Sequence, residues 1–130
     1  MRKELQNKLY KKYPKIFAQH KLPITQTAMS FGFECGDGWY NIIDMLCQLL
    51  QSDIDNNNHE QIEAVQVKEK YGTLRFYVNH CNTKQEGMID FAEYLSAFIC
   101  EECASNKNVK QTKNWIYTRC SDCMKKIKKT

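Results

Sequence analysis

Apolar residues return every three to four positions in three stretches of the chain and every second position in two, which predicts three helices and a β-hairpin. From Arg2 to Tyr13 the apolar face is Leu5, Leu9 and Tyr13, and Pro14 ends the helix. Ile16 and Phe17 then read as core residues, and His20-Lys21-Leu22-Pro23 as an extended connection. A second helix is predicted from about Gly38 to Gln51. Trp39, Ile42, Ile43, Leu46, Leu49 and Leu50 share its apolar side, and Asp37 is placed to cap its free N–H groups. The polar stretch Asp53 to Glu60 has no period and reads as a loop.

Alternation takes over after that stretch. Ile62 to Lys70 and Thr73 to Asn79 read as two strands around a Tyr71-Gly72 turn, with Leu74, Phe76 and Val78 facing one way and Thr73, Arg75 and Tyr77 the other. A third helix is expected from about Glu86 to Ile99, its stripe Met88, Ala92, Leu95 and Ile99 widened by Phe91 and Phe98. Asn106 to Thr112 reads as a polar loop, Trp115-Ile116-Tyr117 as a short strand, and Ser121 to Lys129 as a last helix or turn. The fold class is α+β: three to four helices on a β-hairpin or small antiparallel sheet, with residues 1–99 as the core and 100–130 as a zinc-ribbon-like element packed on the same domain.

The cysteines change this picture most. Cys100-Glu101-Glu102-Cys103 and Cys120-Ser121-Asp122-Cys123 are two C-x2-C pairs separated by sixteen residues. Two such knuckles deliver four thiolates in the tetrahedral arrangement structural Zn2+ prefers, at a usual loop length, so the expected cofactor is a structural zinc. Two disulfides or one redox-active pair are the alternatives. The remaining cysteines, Cys35, Cys47 and Cys81, form no nucleophile–base arrangement, since Cys81 and the adjacent His80 point to opposite faces of a strand. His20, His59 and His80 are spaced for neither a catalytic metal nor a triad, so no catalytic residue is assigned.

The net charge of +4 is segregated. Residues 1–21 carry +6, residues 107–130 carry +7 and residues 22–106 carry −9. Four thiolates with Zn2+ lower the total by two, so the overall charge is no argument for nucleic acid, although the two basic ends together can form a local patch. The acidic middle still holds Lys68, Lys70 and Arg75 beside Tyr77 on one hairpin face, a composition suited to a phosphate-bearing ligand or an acidic protein. Ion pairing with Glu63, Glu69, Glu34 or Asp37 is the structural alternative. Lys125, Lys126, Lys128 and Lys129 add a basic tail. No apolar run reaches the ~18–20 residues of a membrane span. The start, Met1-Arg2-Lys3-Glu4, has no leader character. Seven cysteines in such a chain point to a reducing, cytoplasmic compartment.

Taken together, Tyr13-Pro14, Phe31-Gly32-Phe33-Glu34-Cys35-Gly36-Asp37-Gly38-Trp39, Val67-Lys68-Glu69-Lys70-Tyr71-Gly72-Thr73-Leu74-Arg75-Phe76-Tyr77 and the two cysteine pairs with Trp115 and Thr118 between them resemble a family of small bacteriophage and prophage proteins. The resemblance spans about Tyr13 to Cys123 and brings no established activity with it. It implies a small phage-type protein working inside a bacterial host, with the glycine-tryptophan segment and the Lys-Glu-Lys hairpin belonging to one architecture. Two functions follow as expectations: a non-catalytic protein presenting the hairpin face to a host or phage protein, or a nucleic-acid or nucleotide binder using Lys68, Lys70, Arg75 and the basic tail.

Overall fold

In the computed structural model, which describes residues 1–128, the hairpin is the centre of a three-stranded sheet. β2 (Ala64–Lys70) and β3 (Thr73–Val78) pair antiparallel, with Val67 opposite Phe76, Lys68 opposite Arg75 and Lys70 opposite Thr73. Tyr71 (φ 54°) and Gly72 (φ 83°) make the two-residue turn, both in the left-handed region that matches the twist of tightly joined strands. A bulge between Ala64 and Gln66 turns Ala64 into the core and leaves Val65 half-buried, where simple alternation points Val65 inward. A strand absent from the sequence reading, β1 (Phe33–Glu34), lies parallel to β2 with Phe33 beside Val67 and Glu34 beside Lys68. Two residues are too few to show a period.

Among the described residues four α-helices accompany the strands, in keeping with the α+β expectation. α1 (Lys3–Lys12) is followed by Ile16 and Phe17, both fully buried, with Phe17 edge-on to Phe33 and Phe76. α2 runs Tyr40–Asn57, six residues beyond the expected end at Gln51. Asp53 to Asn57, read as loop, are its last turns, because tertiary partners satisfy the polar side chains. Asp53 is buried and accepts from Asn57 Nδ2 at 2.8 Å, Lys84 Nζ at 3.0 Å and Gln85 Nε2 at 3.2 Å. Asp37 is likewise not the cap expected of it. It pairs with Arg2 Nε at 2.9 Å, and no side chain caps α2.

The Asp53 cluster pins the start of α3 (Thr83–Ser96), whose own capping box joins Asn82 and Gln85. The Lys84 ammonium, with the Asn57 and Gln85 amides, holds the Asp53 carboxyl below its ordinary 3.8. A depressed carboxylate stabilises in full above its unfolded value, and that stabilisation is lost as the pH falls through the folded one. Asp53→Asn is therefore expected to lower Tm at neutral pH, with the gap to the parent chain closing below 3.8 in a pH series of melts. Equal gaps at acid and neutral pH would contradict the assignment.

α3 starts three residues earlier than its apolar stripe suggests and ends three earlier, since it packs along the open edge of β3. Ser96 Oγ accepts the Leu74 N–H and Glu93 Oε2 the Phe76 N–H, each at 2.8 Å, so polar side chains close an edge that would otherwise be free to pair. The buried stripe is consequently Gln85, Ile89, Ala92 and Ser96, and Phe91 and Phe98 stand outside it.

The C-terminal element also differs from expectation. β4 (Val109–Gln111) and β5 (Thr118–Cys120) form an antiparallel pair, so strand occurs inside the expected loop, and Trp115-Ile116-Tyr117 is the connection. α4 (Ser121–Lys128) follows directly. Lys129, counted in the basic tail, lies outside the described residues.

Candidate metal centre and the surface it supports

Both C-x2-C pairs converge on one point. The sulfurs of Cys100, Cys103, Cys120 and Cys123 all lie within 4.8 Å of one another, with Cys103 Sγ 3.6 Å from Cys120 Sγ. Four sulfurs bound at about 2.3 Å to one ion stand roughly 3.8 Å apart, so the cluster has the dimensions of a tetrahedral thiolate site. Cys103 is exposed and the other three are buried. In the first knuckle the Cys100 N–H donates to Ser105 O at 2.8 Å, and the chain reverses through Ala104 at φ 70°. The second pair is built differently. β5 ends on Cys120, and Cys123 lies in the first turn of α4, its N–H 3.5 Å from Cys120 Sγ. That donation, with hydrogen bonds from the neighbouring thiols, brings the Cys120 thiol to about 7 from 9.0, while burial pushes Cys123 up.

The carboxylate inside the first knuckle is not a ligand. Glu101 is buried, with Oε2 accepting the Gly36 N–H at 2.8 Å and Oε1 accepting from Arg119 at 3.0 Å. Its backbone is held as tightly: Glu101 N–H donates to Thr118 O at 3.0 Å, and Glu101 O accepts the Gly38 N–H at 2.7 Å. Trp39, fully buried, donates from Nε1 to Ile99 O at 2.9 Å. The glycine-tryptophan segment is thus the seat of the first knuckle. A Cβ on Gly38 would stand 2.1 Å from Cys100 O, so only glycine permits the approach.

The other side of the element grips the hairpin tip. Gly72 O accepts from the Thr118 hydroxyl and from Gln111 Nε2 at 3.2 Å, and Thr118 is fully buried. Glu69 completes the turn by accepting the Gly72 N–H at 2.8 Å. Between the tip and the β4–β5 connection lies a groove of about 320 Å³ lined by Lys68, Glu69, Lys70, Tyr71, Asn114, Trp115 and Ile116. Trp115 is 77% exposed and Tyr71 70%, and Lys70 Nζ stands 5.6 Å from the Tyr71 ring centroid. A left-handed backbone costs a tyrosine on the order of 1 kcal/mol, and here it turns the ring to solvent rather than into a core.

Lys68, Lys70, Arg75 and Tyr77 do share the outer face of the hairpin, opposite Val67, Leu74 and Phe76. Lys68 and Lys70 line the groove, whereas Arg75 and Tyr77 stand further along the face. Among the described residues no ion pair within 4.0 Å reaches Lys68, Lys70 or Arg75. Of the acids named as alternatives, Asp37 is held by Arg2, Glu69 by the turn and Glu63 by Gln19, leaving Glu34 beside Lys68 in the sheet. Arg75 Nε is buried without a hydrogen-bond partner. Glu101, Thr118, Tyr71 and Trp115 escaped the sequence reading as site residues. The unusual Lys-Tyr-Gly-Thr turn, with tyrosine where asparagine or aspartate is favoured, was the available signal for Tyr71.

The other cysteines hold protonated thiols. Burial, with the Glu101 charge, pushes Cys35 up to about 12, and burial raises Cys47 well above 9.0. No helix among the described residues is long and apolar enough to cross a membrane. No family model, curated protein or solved structure matches the chain.

Proposed function

We propose that the chain is a zinc-clamped, non-catalytic binding protein of phage type, working in the host cytoplasm, whose ligand in the groove is single-stranded nucleic acid. Cys100, Cys103, Cys120 and Cys123 would hold one Zn2+, which supplies a closed structural cross-link between the two knuckles. Glu101 and Thr118 carry that constraint outward, to the glycine seat on one side and the hairpin tip on the other.

The observation that carries the reading is the pairing of two exposed rings, Tyr71 and Trp115, with two lysines, Lys68 and Lys70, that have no ion pair within 4.0 Å among the described residues. Bases stack on aromatic faces and phosphates seek ammonium groups, whereas a folded core uses neither in this exposed form. Phage type rests on the sequence resemblance, and the cytoplasm on the seven cysteines of the sequence.

Fluorescein-labelled oligo(dT) tests it by anisotropy. Binding at low salt should weaken steeply as salt rises. Trp115→Ala and the pair Lys68→Ala with Lys70→Ala should each cost about 1–3 kcal/mol, roughly fivefold to 150-fold, without lowering Tm. Absence of low-salt binding, or binding indifferent to Trp115, would overturn the reading.

One observation favours a second reading on the same face. Arg75, which has no ion pair within 4.0 Å among the described residues and shares the outer hairpin face with exposed Tyr77, suits a carboxylate presented by a host or phage protein. In that case Lys68→Ala with Arg75→Ala abolishes capture of a partner from host lysate, and oligo(dT) does not compete.

A further inference from the structure

We propose that the outer face of α2 and α3 is the interface of a two-fold dimer of this chain. Periodicity assigns Leu49, Phe91 and Phe98 to the core, yet they are 51%, 65% and 52% exposed, and Met45 and Tyr94 beside them are 58% and 67% exposed. Between the helices runs a groove of about 190 Å³ lined by apolar side chains alone, with Met45, Leu49 and Phe91 on its walls. Tyr94 and Phe98 extend the same surface, their rings 5.2 Å apart.

Size and charge select the occupant. Side chains of this class bury about 150–250 Å² each, so five left half-exposed or more offer on the order of 600 Å². That equals the largest patch an ordinary monomer carries. Two copies face to face would bury about 1,200 Å², the lower end of specific interfaces. The α2 positions bordering the groove, Asn41, Gln48 and Ser52, are uncharged. On α3, Glu93 already serves β3 and Lys84, at the groove's end, is paired with Asp53, while Asp90 lies one turn before Tyr94 at the edge of the surface. The groove itself is lined by apolar side chains and brings no unpaired charge into a two-fold contact, so its best match is a second copy of the same apolar face.

Gly87 supplies an independent observation. It interrupts α3 one turn before Phe91, and a Cβ there would meet nothing within 4 Å, so no packing within the chain calls for glycine. Glycine weakens a helix relative to alanine. On the face shared with Phe91 and Tyr94, it leaves a flat place where the backbone of a second helix can approach.

Sedimentation equilibrium over micromolar concentrations tests the dimer, with circular dichroism and Tm recording the fold of each variant. The parent chain should sediment as two chains, and Phe91→Glu and Leu49→Glu, on opposite walls of the groove, should each reduce it to one with Tm of the monomer retained. Gly87→Ala should raise monomer Tm while raising the dimer dissociation constant, opposite signs that a purely local helix effect would not produce. A parent chain monomeric throughout the range would overturn the proposal. So would a dimer that survives both glutamate substitutions, or a monomer that instead takes up an unrelated protein on this face.

Discussion

Cys120→Ser or Cys103→Ser is expected to release the metal and to unfold residues 100–128, while the sheet and α2 stay folded. The reason lies in where the apolar burial is. The main core gathers side chains from Leu9 to Ala92, whereas among the described residues the apolar burial of the C-terminal element is Cys100, Cys120 and Cys123, with Val109 packed against them. Hydrogen bonds alone hold so small and weakly apolar an element poorly, and structural zinc supplies apparent free energies of about 10–16 kcal/mol in small domains. Loss of one thiolate removes most of that. Amide hydrogen exchange would show it as lost protection at Glu101 and Thr112, whose N–H groups are bonded across the element, with protection kept at Leu74 and Phe76 on the other side of the hairpin. Full metal retention by either variant, or equal loss of protection everywhere, would contradict the division of labour.

Gly38→Ala is expected to be the most damaging single substitution away from the cysteines. The added methyl would stand 2.1 Å from Cys100 O and 2.6 Å from the Glu101 carbonyl, and both obstacles are backbone rather than side chain ends that can swing away. The knuckle must move off its seat. That movement breaks the 2.7 Å bond from Gly38 N–H to Glu101 O and loosens the packing of Trp39 beneath it. Overpacking together with a lost hydrogen bond amounts to about 3 kcal/mol, visible as a lower urea midpoint and faster zinc release to a chelator. Gly87→Ala, in open space within the chain, provides the contrast, since the same change there should not destabilise the folded monomer. If the two alanines behaved alike, the seat would have no structural meaning.

What the sequence made legible follows the physics of each signal. The hairpin could be read because period-two alternation and turn chemistry agree, and the convergence of the four cysteines because C-x2-C spacing is a statement about coordination that needs no tertiary context. Trp39 was legible as a core residue but not as a donor to Ile99 O, because a backbone carbonyl leaves no trace in composition. The last turns of α2 were hidden for a related reason: Asp53 and Asn57 look like loop residues until Lys84 and Gln85 arrive from 31 and 32 positions away. Phe91 and Phe98 were misplaced because periodicity reports which face is apolar, not whether the chain itself covers it. The groove was half legible. Lys68 and Lys70 drew notice by standing out in an acidic stretch, whereas Trp115 joins them only through the grip of Thr118 and Gln111 on Gly72.

The contacts of the C-terminal element with the glycine seat and the hairpin tip converge on one centre, so the most direct measurement is the metal content of the purified chain by plasma mass spectrometry. About one zinc per chain is expected, kept in Lys68→Ala and Trp115→Ala and lost in Cys103→Ser. A parent chain free of metal, or one carrying iron in place of zinc, would contradict the account.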